Sequence, residues 1–159
     1  MGAKYRQEVF NVLLAQLLQE RGVLSAPESI LRPKTLRGHR MPDVLVDFNG
    51  LRTVIEGEID TSPEAAERAL ASARRRVEEG IAHIAIGVLY PESLQAVGFR
   101  ALKDELGACR LRMAIVTEAT PTTPEFVAGT VDDLETALRL AFDQLIGVGN
   151  GRLVKGPQL

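Results

Sequence analysis

Residues 41–60 read MPDVLVDFNGLRTVIEGEID, and the rest of the fold can be inferred outward from them. Two apolar runs, 44–48 and 51–59, flank Asn49-Gly50, a dipeptide that tolerates the positive backbone angles of a two-residue turn. This stretch therefore predicts an antiparallel β-hairpin. Its acidic side chains need a physical explanation, because burying a carboxylate on an apolar strand is costly unless a cation or hydrogen bonds compensate the charge.

Three acids in this hairpin indicate a metal site with oxygen ligands. Asp43 lies at the start of the first strand, and Glu56 and Glu58 lie near the end of the second. Side chains two residues apart on a strand share a face, so Glu56 and Glu58 repel each other unless a positive charge lies between them. With one cysteine and two histidines the chain has no Cys/His zinc set. A metal bound here would have to be held by oxygen.

Apolar periodicity predicts the elements around the hairpin. In chain order we expect a helix over 3–20, a short strand within 29–37, the two hairpin strands, a helix over 63–79, a buried strand over 82–90, helical pieces within 91–107, a strand over 111–117, a polar loop over 118–129 and a helix over 131–146. This alternation is typical of an α/β protein with a mixed central sheet flanked by helices.

The second helix carries basic residues that bear on the acids. Its apolar side predicts close packing on a sheet, while Arg68, Arg74, Arg75 and Arg76 are placed on the rest of its surface. An arginine on this helix could reach the acidic face of the preceding strand. The alternative is that these side chains are simply solvated, as most surface arginines are.

Length and composition set limits on domain count and partners. The chain has 159 residues, of which 45% are hydrophobic and 25% charged, which fits one globular domain. We assign residues 1–147 to this domain and 148–159, which are rich in glycine, to a flexible tail or a linker to a further region. The sequence contains neither a membrane-spanning apolar run nor a secretory signal, which predicts a cytoplasmic protein. A net charge of -2 argues against nonspecific coating of nucleic acid.

A basic cluster directly precedes Asp43 and would lie near any site built there. Its residues are Arg32, Lys34, Arg37, His39 and Arg40. Such side chains suit contact with phosphates, which predicts a nucleic-acid-binding role. A solvated loop whose positive charges balance nearby acids is the alternative interpretation.

The element order, together with Pro42-Asp43 and Glu56-Gly57-Glu58, resembles the PD-(D/E)xK nuclease superfamily. The resemblance implies a restriction-endonuclease-like fold with an α-β-β-β-α-β core, followed here by a further strand and helix. Asp43 matches the first acid of the motif and Glu56 the second. Glu8 resembles an additional acid that some members carry on the first helix, although a solvated or capping glutamate is the other interpretation of that residue.

This resemblance implies a metal-dependent endonuclease of restriction or defence type that cleaves DNA. Asp43, Glu56 and the carbonyl of Gly57 would hold Mg²⁺ or Mn²⁺, which activates water and neutralises charge on the phosphate. Asp43, Glu56, Glu58 and Glu8 would form the catalytic set. Cutting both DNA strands usually requires two active sites, which makes a homodimer one expected assembly. Other domains of a larger restriction-modification protein are also expected partners.

Glu58 departs from the family pattern, which usually has lysine at this position. The lysine orients the attacking water and stabilises the anionic transition state. Glu58 would supply only proton acceptance or a second metal ligand, whereas charge stabilisation would pass to metal or to an arginine of the following helix. A minority of related restriction enzymes carry glutamate here. The alternatives are a catalytically inactive nucleic-acid-binding or assembly module on this fold, and an α/β domain whose acids are only surface charges.

Overall fold

The computed structural model of the chain describes residues 5–23, 44–48, 50–120 and 124–153. Its elements are α1 (Gln7–Glu20), β1 (Val44–Phe48), β2 (Leu51–Asp60), α2 (Pro63–Glu78), β3 (Ile84–Pro91), a 3₁₀ helix (Glu92–Ala96), α3 (Phe99–Ala108), β4 (Leu111–Thr117), β5 (Val127–Gly129) and α4 (Val131–Leu153). The predicted α/β class is confirmed. The strand predicted within 29–37 lies outside the described residues.

The strands form one mixed sheet in the order β1-β2-β3-β4-β5. β1 and β2 are antiparallel, with Phe48 opposite Leu51, so the two-residue hairpin is confirmed. Gly50 has a φ of 88°, the left-handed conformation for which glycine was expected in this turn. β2 and β3 are parallel and connected by α2, whereas β4 pairs antiparallel with both β3 and β5. The predicted mixed sheet is therefore confirmed.

Helices cover both faces of this sheet. The larger core packs α1, α3 and α4 against one face, to which Ile55, Ile86 and Tyr90 contribute. On the opposite face, α2 packs through small residues, with Ala73 beside Val54 and Ala85. β3 is buried along almost its whole length, as predicted for a central strand covered on both sides. Side chains of β2 therefore face α2 on one side of the sheet and the layer of α1, α3 and α4 on the other.

Two elements differ from their predictions. The short strand β5 occupies part of the predicted polar loop over 118–129, because three residues that pair with β4 are too few to show a strand period. α4 was expected to end at 146, with a flexible tail from 148, but it continues to Leu153. Glycine lowers helix propensity without removing the backbone donor, and the helix-breaking proline comes only at Pro157.

The N-terminus of α4 is capped by Thr130, and this cap gives a first test. The Thr130 N–H donates to Asp133 Oδ2 at 2.9 Å, and Thr130 Oγ1 accepts from the Asp133 N–H at 3.4 Å. Ser62 holds the corresponding position before α2, but its side chain makes no capping hydrogen bond. We expect Thr130→Ala to lower the free energy of unfolding by about 1 kcal/mol.

Ser62→Ala is the matched control for this substitution, because it removes a hydroxyl at the same helical position without removing a cap. Urea denaturation should show little change for Ser62→Ala. Equal destabilisation by the two substitutions would show that the reciprocal hydrogen bonds at Thr130 contribute nothing to stability.

Candidate functional site: the acidic face of strand β2

Strand β2 places its acids on the side of the sheet that α2 covers. Glu56 and Glu58 both bind arginines of α2, which confirms that they share a face. Gly57, the residue between them, lies on the opposite face, next to Asn11 of α1 and Tyr90 of β3. The alternation along β2 therefore separates an acidic face from a face packed against α1.

Glu56 forms a buried ion pair with Arg76. Arg76 Nε donates to Glu56 Oε2 at 2.9 Å. Glu56 is 6% exposed and Arg76 is 7% exposed, so both charges are almost removed from water. Burying either charge alone would be strongly unfavourable, and each is tolerated because the other compensates it. The cation that the sequence required beside Glu56 is thus present as a guanidinium.

Arg76 is one of the arginines of α2 that reach the acidic face of β2, and its burial corrects its predicted placement away from the packed side of the helix. Arg76 follows Ala65, Ala69 and Ala73 at intervals of four, four and three residues, which is the spacing of one helix face. All four side chains are buried. This spacing is the sequence signal that places Arg76, rather than Arg75, on the buried face of α2. It was overlooked because a charged residue is normally expected at the surface.

Glu58 forms a looser and more accessible ion pair with Arg68. Arg68 Nε and Nη2 both lie 3.3 Å from the same oxygen, Glu58 Oε1. The side chains are 21% exposed for Glu58 and 54% exposed for Arg68. Glu58 Oε2 has no hydrogen-bond partner among the residues described. Of the two motif glutamates, Glu58 is therefore the one that water or a ligand can reach.

A third ion pair extends the same row toward the end of β2. Arg112 Nη1 of β4 donates to Asp60 Oδ2 at 3.0 Å, and both side chains are partly exposed. We call the pairs made by Glu56, Glu58 and Asp60 with their arginines the ion-pair row. Exposure rises from the buried Glu56 pair to the other two. Water and salt therefore screen the Glu58 and Asp60 ion pairs more strongly than the Glu56 pair.

The opposite face of β2 contains a polar pair that the sequence interpretation missed. Tyr90 Oη donates to Asn11 Oδ1 at 2.6 Å, and both residues are fully buried. Asn11 Nδ2 and Thr53 Oγ1 are buried without a hydrogen-bond partner among the described residues. An asparagine between Phe10 and Leu14 in the buried stripe of α1 was the available signal, since buried amides are normally hydrogen-bonded.

The structure does not bring Glu8 to the other motif acids. Glu8 is exposed on α1, which packs on the face of the sheet opposite α2. Within the described parts of the chain, no three or more His, Cys, Asp or Glu side chains form a group that could hold a metal ion. The predicted catalytic role of Glu8 stays a prediction.

The remaining predicted site residues lie outside the described residues. They are Asp43 and the basic cluster of Arg32, Lys34, Arg37, His39 and Arg40. Asp43 directly precedes Val44, and Val44 pairs with Ile55, the neighbour of Glu56. Their predicted roles in metal and nucleic-acid binding stay predictions.

The described residues of β2 have the ligand types of a Mg²⁺ site but not its charge balance. Carboxylate and carbonyl oxygens, as offered by Glu56, Glu58 and Gly57, are the ligand types that Mg²⁺ prefers. The charge balance does not fit, because the Glu56 carboxylate already holds the Arg76 guanidinium. A metal ion at Glu56 would therefore compete with the Arg76 guanidinium for this carboxylate.

Two side chains outside the ion-pair row, Cys109 and His83, belong to residue types that often serve in catalytic sites. Burial raises the pKa of the Cys109 thiol, opposed by a backbone hydrogen bond and reinforced by the charge of Glu105. The thiolate that nucleophilic chemistry needs is thus disfavoured at neutral pH. His83 is exposed, and its Nδ1 accepts the Arg52 N–H at 2.9 Å, just before the start of β3.

No family model, curated protein or solved structure matches this chain. Among the described helices, none is both long and apolar enough to cross a membrane.

Proposed function

We propose that this chain is a metal-dependent phosphodiesterase that cleaves DNA, built on a restriction-endonuclease-like arrangement. One observation carries the proposal: Glu56 and Glu58 lie on the same face of β2, and guanidinium groups of α2 lie within hydrogen-bonding distance of both. The order of a helix, a hairpin, a crossover helix and a parallel strand supports it, since this is the order in the superfamily that the sequence resembles.

Glu58 and Arg68 together offer the two properties of the absent motif lysine. Glu58 has a partly exposed carboxylate that can accept a proton from water. The Arg68 guanidinium carries a positive charge, and its planar donors suit a phosphate oxygen. Because Arg68 is more than half exposed, its guanidinium can turn from Glu58 toward a DNA phosphate without a large desolvation cost. Arg68 is thus our candidate for charge stabilisation.

The proposal also needs Asp43 and the basic cluster. It requires the antiparallel register to continue by one residue beyond Val44, which would set Asp43 opposite Glu56. Asp43, Glu56 and the Gly57 carbonyl would then hold Mg²⁺ or Mn²⁺, which would activate water and neutralise phosphate charge. Contacts with DNA phosphates are assigned to Arg32, Lys34, Arg37, His39 and Arg40.

Cleavage of plasmid DNA and of linear DNA tests this function. We expect cleavage in Mg²⁺ or Mn²⁺ and none in EDTA. Asp43→Ala and Glu58→Gln should each slow cleavage by about 100-fold or more, since each removes a group that acts on the water or the phosphate. Glu64→Gln, which changes an exposed acid in the first turn of α2, is the control and should cleave at the unaltered rate. Metal-independent cleavage, or full activity in Asp43→Ala, would exclude the proposal.

A noncatalytic nucleic-acid-binding module is the second candidate, and the ion-pair row favours it. Each of the three acids of the row already has an arginine partner, so the row is self-neutralised without metal. This candidate predicts DNA binding that weakens with salt, survives Glu58→Gln and declines in Arg37→Ala/Arg40→Ala. Fluorescence anisotropy with labelled duplex DNA distinguishes the candidates when cleavage is absent.

A further inference from the structure

We infer that Tyr5-Arg6 and Phe99-Arg100 form a contact surface for single-stranded nucleic acid, on which a base stacks against Phe99 and the two arginines bind neighbouring phosphates. The inference rests on the proposed function only for the class of partner, which is nucleic acid. It requires neither a metal ion nor cleavage, and all four residues lie in the described part of the chain. We call them the aromatic-arginine surface.

Phe99 is an aromatic side chain that the fold leaves open to solvent. It is 69% exposed, the highest value among the large hydrophobic side chains that are exposed in the described parts of the chain. It is the first residue of α3, outside the stripe that Leu102 and Leu106 bury. A large ring that stays in water lacks the stabilisation that burial would give. A partner that covers the ring with a flat face supplies that stabilisation.

Tyr5 supports the Phe99 ring and is itself held in place. The two ring centroids lie 6.4 Å apart, and the ring planes are inclined by 41°. Tyr5 Oη donates to the Val97 carbonyl at 2.7 Å, and the Tyr5 backbone exchanges two hydrogen bonds with the Gln95 side chain, at 2.7 and 2.8 Å. The support for Phe99 is thus ordered before a ligand arrives, which reduces the conformational entropy lost on binding.

An exposed arginine follows each of these rings in sequence. Arg6 follows Tyr5, Arg100 follows Phe99, and neither arginine has an ion-pair partner among the described residues. The three arginines of the ion-pair row, by contrast, are each paired with an acid. An unpaired guanidinium can bind phosphate oxygens without first giving up a carboxylate. The charge beside the exposed ring therefore favours an anionic partner.

The aromatic-arginine surface lies at the end of the sheet where the ion-pair row also ends. Asp60, the last residue of β2, pairs with Pro91, the last residue of β3. The chain then enters the 3₁₀ helix whose Gln95 binds Tyr5. Aromatic rings beside basic side chains bind single strands, because unpaired bases have open faces and the phosphates are spaced between them. A strand bound to this surface would lie at the same end of the sheet as the exposed pairs of the row.

Tryptophan fluorescence tests the stacking directly, because the chain contains no tryptophan. Phe99→Trp keeps an aromatic ring at this position and makes it the one indole of the protein. Titration of the full chain with single-stranded oligothymidylate in EDTA should quench its fluorescence strongly. Leu140→Trp, at a side chain that is 58% exposed on α4, is the control and should stay unquenched. No quenching in Phe99→Trp, or equal quenching in the two variants, would overturn the inference.

Fluorescence anisotropy with labelled oligothymidylate gives a second test through affinity. Phe99→Ala should weaken binding about tenfold, as the loss of one stacking ring typically does. Leu140→Ala should bind like the unaltered chain. Arg6→Gln/Arg100→Gln should reduce the slope of log affinity against log salt by about 1 to 2, whereas Arg75→Gln, at an exposed arginine of α2, should not. Unchanged affinity in Phe99→Ala, or no binding by the unaltered chain, would contradict the inference.

These measurements separate the contact surface from the proposed reaction, since neither uses cleavage. A chain that shows both effects and cleaves no DNA in Mg²⁺ would refute the phosphodiesterase and support the surface. A chain that cleaves DNA while Phe99→Ala binds and cleaves normally would refute the surface alone. Self-association that Phe99→Ala abolishes, without quenching of Phe99→Trp by oligothymidylate, would replace the nucleic-acid surface by a protein interface.

Discussion

Arg76→Ala is expected to lower the free energy of unfolding by about 3–5 kcal/mol, as the loss of one partner of a buried ion pair typically does. The substitution leaves the Glu56 carboxylate almost fully buried without the guanidinium that lies 2.9 Å from it. Urea denaturation monitored by circular dichroism would measure this change. A domain of this size commonly has a total stability of about 5–15 kcal/mol, so a large part of it would be lost.

Two further variants identify the cause of this loss. Arg68→Ala removes the same side chain from the exposed Glu58 pair and should cost about 1 kcal/mol or less. Glu56→Leu/Arg76→Met removes both buried charges and should recover most of the stability lost in Arg76→Ala, because no unpaired charge remains. If the double variant is as unstable as Arg76→Ala, lost packing rather than an unpaired charge is responsible.

Gly57→Ala is expected to destabilise the fold by about 1–3 kcal/mol or more through overpacking. A Cβ at this position would lie 2.6 Å from Tyr90 Cε2 and would also collide with Asn11 Oδ1. Neither neighbour has room to withdraw, since both are fully buried and hydrogen-bonded to each other at 2.6 Å. The substitution therefore has to displace α1 or β3, and thermal denaturation would show the loss.

Gly147→Ala provides a control with the opposite expected sign. Gly147 lies on an exposed part of α4, and a Cβ there would meet no atom within 4 Å. Alanine should stabilise the helix by up to about 1 kcal/mol. A Gly57→Ala variant that is as stable as the unaltered chain would mean that the contact of Asn11 and Tyr90 over Gly57 is not tightly packed.

Local signals explain which parts of the fold were predictable. The hairpin follows from Asn49-Gly50 and from alternation over a few residues, and the start of α4 follows from the apolar period over 131–146. β5 was missed because its three residues become a strand only through pairing with Leu111, Arg112 and Met113. Such pairing is a tertiary effect that a short segment does not encode by itself.

From the sequence, the site could be predicted only as far as the face of β2 that Glu56 and Glu58 share. Alternation along β2 was sufficient to place Glu56 and Glu58 together, and an arginine of α2 was recognised as a possible partner. Which arginine pairs with which acid depends on the rotation of α2 about its axis and on its position over the sheet. These quantities are set by how Ala65, Ala69 and Ala73 pack, and packing of small side chains leaves little trace in sequence.

The order of the strands has a consequence for how the chain folds. Among the five described strands, every pair of neighbours in the sheet is also consecutive in sequence, so none of these five has to be inserted between two that are already in place. A hairpin of β1 and β2 can form first, and each later strand can then add at one growing edge. Such growth limits the chain entropy lost at each step, which favours rapid folding in the order in which a ribosome releases the segments.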